Sequence, residues 1–142
     1  FSFFMKYKFL EDIAIADVAF DAYGSNLNEL FENSALALFD CMVNLKDLKG
    51  KIKKTIKIKA KNIEDLLYKF LSEIVYIKDT KQLVFKKAKV KIKDFKLEAT
   101  LYCDKIDYNT QELRNDVKAI TLHQFEIKKV KNRWKARIVI DI

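Results

Sequence analysis

The order of apolar and polar residues divides the chain into extended and helical segments. The first segment, residues 6–23, has the pattern of extended structure. Within it, residues 13–20 are apolar at both odd and even positions except for Asp17. A run that is apolar on both parities is typical of a strand covered on both faces. Gly24 then marks the end of this strand.

Two later segments repeat their apolar residues at helical spacing. The first follows Asn26, a good N-cap residue, and has Glu29 in the capping-box position. The second follows Asn62, which is also a good N-cap. In both segments the apolar residues recur at i, i+3 and i+4, so each segment predicts a helix with one buried stripe. The stripes cover residues 27–45 and 66–77.

The other segments alternate with a period of two. Within residues 51–60, the apolar Ile52, Ile56 and Ile58 alternate with Lys53, Lys57 and Lys59, which predicts a strand with one face in water. Five more segments have strand character, namely 83–85, 90–92, 95–102, 117–127 and 134–142, while the polar stretch 103–116 predicts a long connection. The fold class predicted is α+β, a two-layer sandwich with two helices packed on a mostly antiparallel sheet.

No repeat and no linker divides the chain, so we expect a single domain over residues 1–142. Residues 1–4 precede Met5 and are expected to be an upstream extension or a cloning remnant. No apolar run approaches the roughly 18 residues that a membrane helix needs. Cys41 and Cys103 lie among apolar neighbours and form no CxxC motif, which favours buried thiols in a reducing compartment such as the cytoplasm.

The formal net charge is +8, and arginine supplies only three of the basic residues. Such a lysine-rich composition is expected of a heat-adapted or AT-rich organism. A basic surface also attracts RNA or an acidic patch on another protein. Both interpretations stay open. The chain has two glycines and no proline, so a glycine-rich loop that cradles phosphate is excluded.

Conventional catalytic groups are poorly represented. His123 is the single histidine and has no nucleophile beside it, so a structural or surface role is favoured and a zinc site is not. Asp17 is different, because a carboxylate in an apolar run must be paired with a cation such as a lysine or must coordinate a metal.

The last residues offer two further carboxylates. An ordered strand over 134–142 would bring the Asp141 side chain close to the terminal carboxylate of Ile142. Together with Asp17 these groups would form an oxygen site suited to Ca²⁺, Mg²⁺ or Mn²⁺. The alternative is that the final residues bind nothing.

Lys118 shares strand parity with Ile120 and Leu122, so it is expected on a face that is otherwise apolar. One interpretation is a lysine that snorkels to the rim of the sheet. The other is an exposed lysine that contacts a partner.

Several strings of the chain resemble the archease family. They are ADVAFDAYG (16–24), NLNELFENSALALFDCM (26–42), IEDLLYKFLSEIVYIKD (63–79), VKAIT (117–121) and the closing RIVIDI. The resemblance covers the chain from Met5 to its last residue. It implies a non-enzymatic α+β protein that partners an RtcB-type RNA ligase in tRNA splicing, assists guanylylation of the ligase and allows it many turnovers.

The resemblance also implies particular site residues. The divalent-cation site of the family maps onto Asp17, Asp141 and the terminal carboxylate of Ile142, with Ca²⁺ favoured and Mg²⁺ or Mn²⁺ as alternatives. The functional lysine of VKAIT maps onto Lys118. The His-Thr that usually precedes Ala-Asp is missing, and Asp12 is expected to lend an oxygen instead. RNA is expected to be contacted only indirectly or weakly, and no membrane is expected as a partner. The alternatives are a basic RNA-binding module and a general chaperone.

Overall fold

The computed structural model describes residues 5–11 and 17–142. In that part, two α-helices and eight strands follow one another along the chain. Their order is β1 (Tyr7–Leu10), β2 (Asp17–Gly24), α1 (Leu27–Met42), β3 (Ile52–Lys59), α2 (Ile63–Lys81), β4 (Leu83–Lys93), β5 (Lys96–Lys105), β6 (Ala119–Ile120), β7 (Glu126–Val130) and β8 (Arg133–Asp141).

Both helices begin where the capping residues predict. The Asn26 side chain accepts a hydrogen bond from the Glu29 backbone N–H at 2.8 Å, which satisfies one free donor of α1. The Asn62 side chain does the same for α2, accepting from the backbone N–H of Asp65 at 2.8 Å. The carboxylate of Glu29 reaches back to the N–H and hydroxyl of Ser25, each at 3.1 Å, one residue before the N-cap.

The strands form two sheets with antiparallel pairing. The first has the order β1-β2-β8-β6, with β7 also paired to β8, and the second has the order β3-β5-β4. The α+β class is therefore confirmed, while the strands are divided between two sheets instead of sharing one. Helix α1 contacts both sheets, through β2 and β4.

Three of the predicted strand segments differ from the structure. Residues 117–127 do not form one strand, because a turn closed by the Phe125 N–H and the Leu122 carbonyl at 3.2 Å separates β6 from β7. The turn contains no glycine or proline, so the sequence carries no breaker signal. Segments 83–85 and 90–92 are parts of the single strand β4, which has an irregularity between Phe85 and Lys87.

The core lies between the helices and the inner faces of both sheets. Its largest fully buried side chains include Phe20, Phe31 and Phe70. Strand β2 is buried on both faces over its described centre, where Ala19 is 1% and Phe20 0% exposed. The earlier residues of that predicted run, 13–16, lie outside the described residues, as do residues 1–4.

Gly24 allows the close crossing of β2 and α1. A Cβ atom at this position would lie 2.4 Å from the backbone nitrogen of Leu30, a distance that real side chains do not adopt. Both cysteines are free and buried, as predicted. In the described part of the chain, no helix is long and apolar enough to cross a membrane.

Candidate functional site

Strands β2 and β8 bring two carboxylates directly opposite each other. Their register pairs Asp17 with Asp141, and both residues are half-buried. Opposite residues of an antiparallel pair have Cβ atoms about 5 Å apart, and like charges in this position are destabilising. Within residues 5–11 and 17–142, no hydrogen bond or ion pair reaches either carboxylate. We call Asp17 and Asp141 the acidic pair.

The same strand face contains a second aspartate whose charge is neutralised. Asp21 is 3% exposed and lies opposite Arg137. The guanidinium donates to both carboxylate oxygens, from Nε to Oδ1 at 2.8 Å and from Nη2 to Oδ2 at 2.9 Å. Lys135 adds an ion pair at 3.4 Å. The hydrogen bonds to Asp21 raise the pKa of Arg137 above its ordinary value.

The backbone of Lys118 lies next to the acidic pair. Its N–H donates to the carbonyl oxygen of Asp141 at 2.8 Å, and the following residue, Ala119, pairs with Asp141 in the sheet. The Lys118 side chain is exposed. The expected apolar face ends at Ile120, since Leu122 is 69% exposed. A partner can therefore reach the ammonium group of Lys118 from solvent.

A buried lysine of α2 holds the segment that leads into β6. Lys78 is 7% exposed, and its Nζ donates to Asp116 Oδ1 at 2.8 Å and to the Val117 carbonyl at 2.6 Å. Asp79 lies 2.8 Å away on the same ammonium group. Burial lowers the pKa of Lys78, but hydrogen bonds to Asp116 and Asp79 outweigh it, so the pKa is raised.

The structure brings together most of the residues that the sequence singled out. Asp17, Asp141 and the backbone of Lys118 are neighbours in adjoining strands, and Ile142 directly follows Asp141, half-buried against the core. Asp12 lies outside the described residues. His123 is exposed in the turn after β6, which agrees with a surface role.

The donor set of the acidic pair suits a hard divalent cation. Among the described residues, no group of three His, Cys, Asp or Glu side chains is arranged around a metal position. Two half-buried carboxylates without a counter-charge nevertheless fit Ca²⁺, Mg²⁺ or Mn²⁺, since these ions prefer oxygen ligands and would neutralise the opposed charges.

The ion pairs of Asp21 and of Lys78, which lie near the acidic pair, were not predicted from the sequence. A signal existed for Asp21, which follows Asp17 by four residues and so shares its face of an otherwise apolar strand. A signal also existed for Lys78, which continues the helical stripe of Leu71, Ile74 and Val75. In both cases the partner lies far away in sequence, so a single chain gives no indication of the pairing.

A protein family model and a curated relative each match most of this chain. Residues 7–142 match the model of the Archease protein family. The protein archease of Pyrococcus furiosus is 42% identical over 132 residues, which cover 89% of this chain and 93% of that protein.

Two solved structures have a similar fold. The solution structure of protein 1598 from Methanobacterium thermoautotrophicum has a TM-score of 0.81 and 32% identity, over 96% of this chain and 99% of that one. The crystal structure of a Thermotoga maritima protein, described as an archease and possible chaperone, has a TM-score of 0.66 and 19% identity, over 89% of this chain and 91% of that one. At that identity the second likeness supports the fold alone.

Proposed function

This chain belongs to the archease family, and we propose that it activates an RtcB-type RNA ligase in tRNA splicing. In this proposal the chain is not itself an enzyme. The ligase carries out the chemistry in the cytoplasm, and the chain promotes guanylylation of the ligase so that it performs many turnovers. The family resemblance supports the choice of partner.

The acidic pair is the observation that carries the proposal. Asp17 and Asp141 face each other, half-buried, with no counter-charge among the described residues. The neighbouring Asp21 has two cationic partners in the same ladder, so the fold can neutralise an aspartate on this face. The acidic pair is therefore suited to a charge that comes from outside the chain.

In the proposed arrangement, Asp17, Asp141 and the terminal carboxylate of Ile142 hold a divalent cation. We favour Ca²⁺, with Mg²⁺ or Mn²⁺ as alternatives. The bound cation supplies the positive charge that the opposed carboxylates lack. Asp12 is proposed as a further oxygen donor.

Lys118 is the proposed contact to the ligase. Its side chain is exposed, while its backbone N–H is fixed to the carbonyl oxygen of Asp141 at 2.8 Å. A surface of this kind presents a cation and an ammonium group together at the mouth of the ligase active site. Docking there would hold the ligase in a conformation that admits GTP.

The test is ligation of a nicked RNA by the cognate ligase, with RNA in excess and this protein at substoichiometric amounts. We expect the protein to convert single-turnover ligation into repeated turnover. Asp17→Asn should abolish this stimulation because it removes one charge and one oxygen ligand of the pair. Glu64→Gln is the matched control, since Glu64 is an exposed carboxylate in the first turn of α2.

A calcium titration followed by thermal unfolding separates metal binding from activation. A ligand at 100 times its Kd stabilises the protein that binds it by about 2.7 kcal/mol. We expect this gain for the native chain and for Glu64→Gln, and its loss in Asp17→Asn. If Asp17→Asn still binds calcium and still stimulates the ligase, the acidic pair is not the site.

A general chaperone is the second candidate. Exposed large apolar residues occur in the described part of the chain, among them Tyr108 at 79% and Leu122 at 69%. Suppression of aggregation of unrelated proteins, combined with no effect on the ligase, would favour this candidate over the activator.

A further inference from the structure

The outer side of the second sheet carries a strong imbalance of charge. Register across β3, β5 and β4 arranges its residues in four rows. Eight exposed lysines point outward from these rows in the described structure, namely Lys53, Lys57 and Lys59 of β3, every second residue of β4 from Lys87 to Lys93, and Lys96 of β5. We call this surface the lysine face. Its one acidic residue in the described structure is Glu98, which lies 3.9 Å from Lys57.

Composition alone does not account for the lysine face. The whole chain has 28 basic and 20 acidic residues, a far more even ratio than that of the lysine face. Protection of a free sheet edge does not account for the five lysines on β4 and β5 either. The edge of β4 is already covered by α1, whose Glu32 and Asn28 side chains accept from the N–H groups of Val90 at 2.8 Å and Ile92 at 2.9 Å. Lys96 lies on the central strand.

The spacing of the rows suits an extended polyanion. Residues two apart in a strand are about 6.8 Å apart, so the four rows span about 20 Å. Adjacent strands are about 4.8 Å apart, so the outer strands are separated by about 10 Å. Such a long and narrow positive surface can follow the phosphates of one polynucleotide strand.

An aromatic ring lies between the cations at one end of the lysine face. Tyr102 is on the central strand β5, and the ammonium groups of Lys53 and Lys87 lie 5.6 and 4.7 Å from its ring centroid. At the other end Phe95 is 46% exposed in the turn that joins β4 to β5. Rings beside cations allow bases to stack while the lysines contact phosphates.

Two hydroxyl groups occupy the row next to Tyr102. Thr55 and Thr100 are paired across β3 and β5, and Thr55 is exposed. A hydroxyl can donate to and accept from a ribose 2′-OH, the group that distinguishes RNA from DNA. Phosphate, base and ribose are therefore each matched by side chains on one surface.

We propose that the lysine face binds single-stranded RNA, with Tyr102 stacking on a base. This activity goes beyond ligase activation and does not depend on it, because the lysine face and the acidic pair lie on different sheets. It replaces the indirect or weak RNA contact expected from the sequence with a direct contact at defined residues.

The test is fluorescence anisotropy of a labelled single-stranded RNA of about 12 nucleotides titrated with the full chain. If five lysines neutralise phosphates, the logarithm of the binding constant should fall with the logarithm of salt with a slope of about −3.5. Replacing Lys87, Lys89 and Lys91 with Gln should reduce this slope by about 2 and weaken binding about 100-fold at 0.1 M salt.

A matched variant separates the lysine face from net charge. Lys46, Lys81 and Lys105 are exposed and lie outside the lysine face. Replacing these three with Gln removes the same charge and should leave the affinity within about threefold, since salt screens distant charges. An equal loss in both triple variants would overturn the proposal in favour of nonspecific attraction.

Variants of Tyr102 test the stacking. Tyr102→Leu should weaken RNA binding at least about fivefold, while Tyr102→Phe keeps the ring and should bind normally. Circular dichroism and urea unfolding check that each variant is folded. If Tyr102→Leu fails to fold, the test rests on Tyr102→Phe, which should bind RNA as the native chain does. Weakened binding in Tyr102→Phe would contradict stacking by the ring alone.

Competitors identify the class of ligand. Polyglutamate that displaces the RNA as effectively as unlabelled RNA would overturn the proposal and favour an acidic protein as partner. Single-stranded DNA of the same sequence should bind more weakly than RNA, and this difference should shrink in Thr55→Val. Equal binding of RNA and DNA by the native chain would show that the choice of RNA is wrong.

Discussion

The outer faces of the two sheets distribute charge in opposite ways. On the first sheet Asp21 is neutralised by Arg137 in the same ladder, while the acidic pair of Asp17 and Asp141 is not neutralised by any described residue. On the second sheet the lysines of the lysine face have a single acid, Glu98, among the described residues.

Asp21 is neutralised by a charge from within the chain, whereas the acidic pair and the lysine face are suited to a charge from a ligand. Unlike charges that are directly opposite stabilise a sheet, whereas like charges in that position destabilise it. The acidic pair occupies one row, which suits a small cation. The lysine face spans four rows, which suits a polymer of negative charges. The two surfaces therefore predict ligands of different size as well as opposite sign.

The largest effect is expected from breaking the ion pair between Asp21 and Arg137. Asp21→Asn should lower the free energy of unfolding by about 3 kcal/mol, because removing one member of a buried ion pair leaves the other charge uncompensated. This is at the low end of the usual range, since the Arg137 and Lys135 side chains are 27% and 24% exposed and can reach water.

Urea unfolding of Asp21→Asn measures this change. The double variant Asp21→Asn, Arg137→Gln should recover part of the loss, because neighbouring substitutions in one ion pair are not additive. A loss below about 1 kcal/mol in Asp21→Asn would mean that the fold does not depend on internal neutralisation on this face.

The sequence predicted the local elements better than the pairing of those elements. The N-caps Asn26 and Asn62 and the alternation in residues 51–60 were sufficient for α1, α2 and β3, because these signals are local. The turn between β6 and β7 was missed because residues 122–125 contain no typical turn residue. Division into two sheets was missed because pairing is set by long-range packing.

The candidate site shows the same limit. Asp17 was identified because a carboxylate in an apolar run is unusual, and the structure places it half-buried. The residues alone offered Asp141 as a second carboxylate but left open that the final residues bind nothing, and the family resemblance favoured the site. The partner of Asp21 could not be identified, since Arg137 lies 116 residues away and many other cations were available.

A smaller effect is expected from Lys78→Met, which tests whether the surroundings fix the acidic pair. Methionine keeps the apolar length but loses the bond to the Val117 carbonyl, so we expect a loss of about 1.5 kcal/mol. The loss of the ion pair with Asp116 costs less than the loss of the bond to Val117, because the Asp116 side chain is 85% exposed. Amide hydrogen exchange at Lys118 should accelerate, since this N–H, one residue before β6, is bonded to the carbonyl oxygen of Asp141. Lys81→Met, an exposed lysine of the same helix, is the control.

The pH dependence of stability gives a second measure of the ion pairs that Lys78 forms with Asp79 and Asp116. The hydrogen bond from Lys78 lowers the pKa of Asp116, so this contribution is present above about pH 4 and is lost as the pH falls through the folded-state pKa. The pKa of Lys78 is raised, so its contribution is present below about pH 10.4 and is lost as the pH rises through the folded-state value. Lys78→Met should weaken both dependences in urea unfolding, and unchanged acid and alkaline limbs would contradict this assignment.

The smallest effect is expected from Asp141→Asn in chelator, and its sign changes when calcium is added. In chelator, Asp141→Asn removes the repulsion of the acidic pair and should stabilise the protein by about 0.5 kcal/mol, because directly opposed like charges are unfavourable by about this amount. With calcium at 100 times its Kd, the native chain should gain about 2.7 kcal/mol that the variant does not, so the variant becomes the less stable protein. Glu64→Gln should behave as the native chain under both conditions. A variant that is less stable in chelator as well would mean that Asp141 supports the fold by a contact inside the chain, and the contrast between the acidic pair and Asp21 would then disappear.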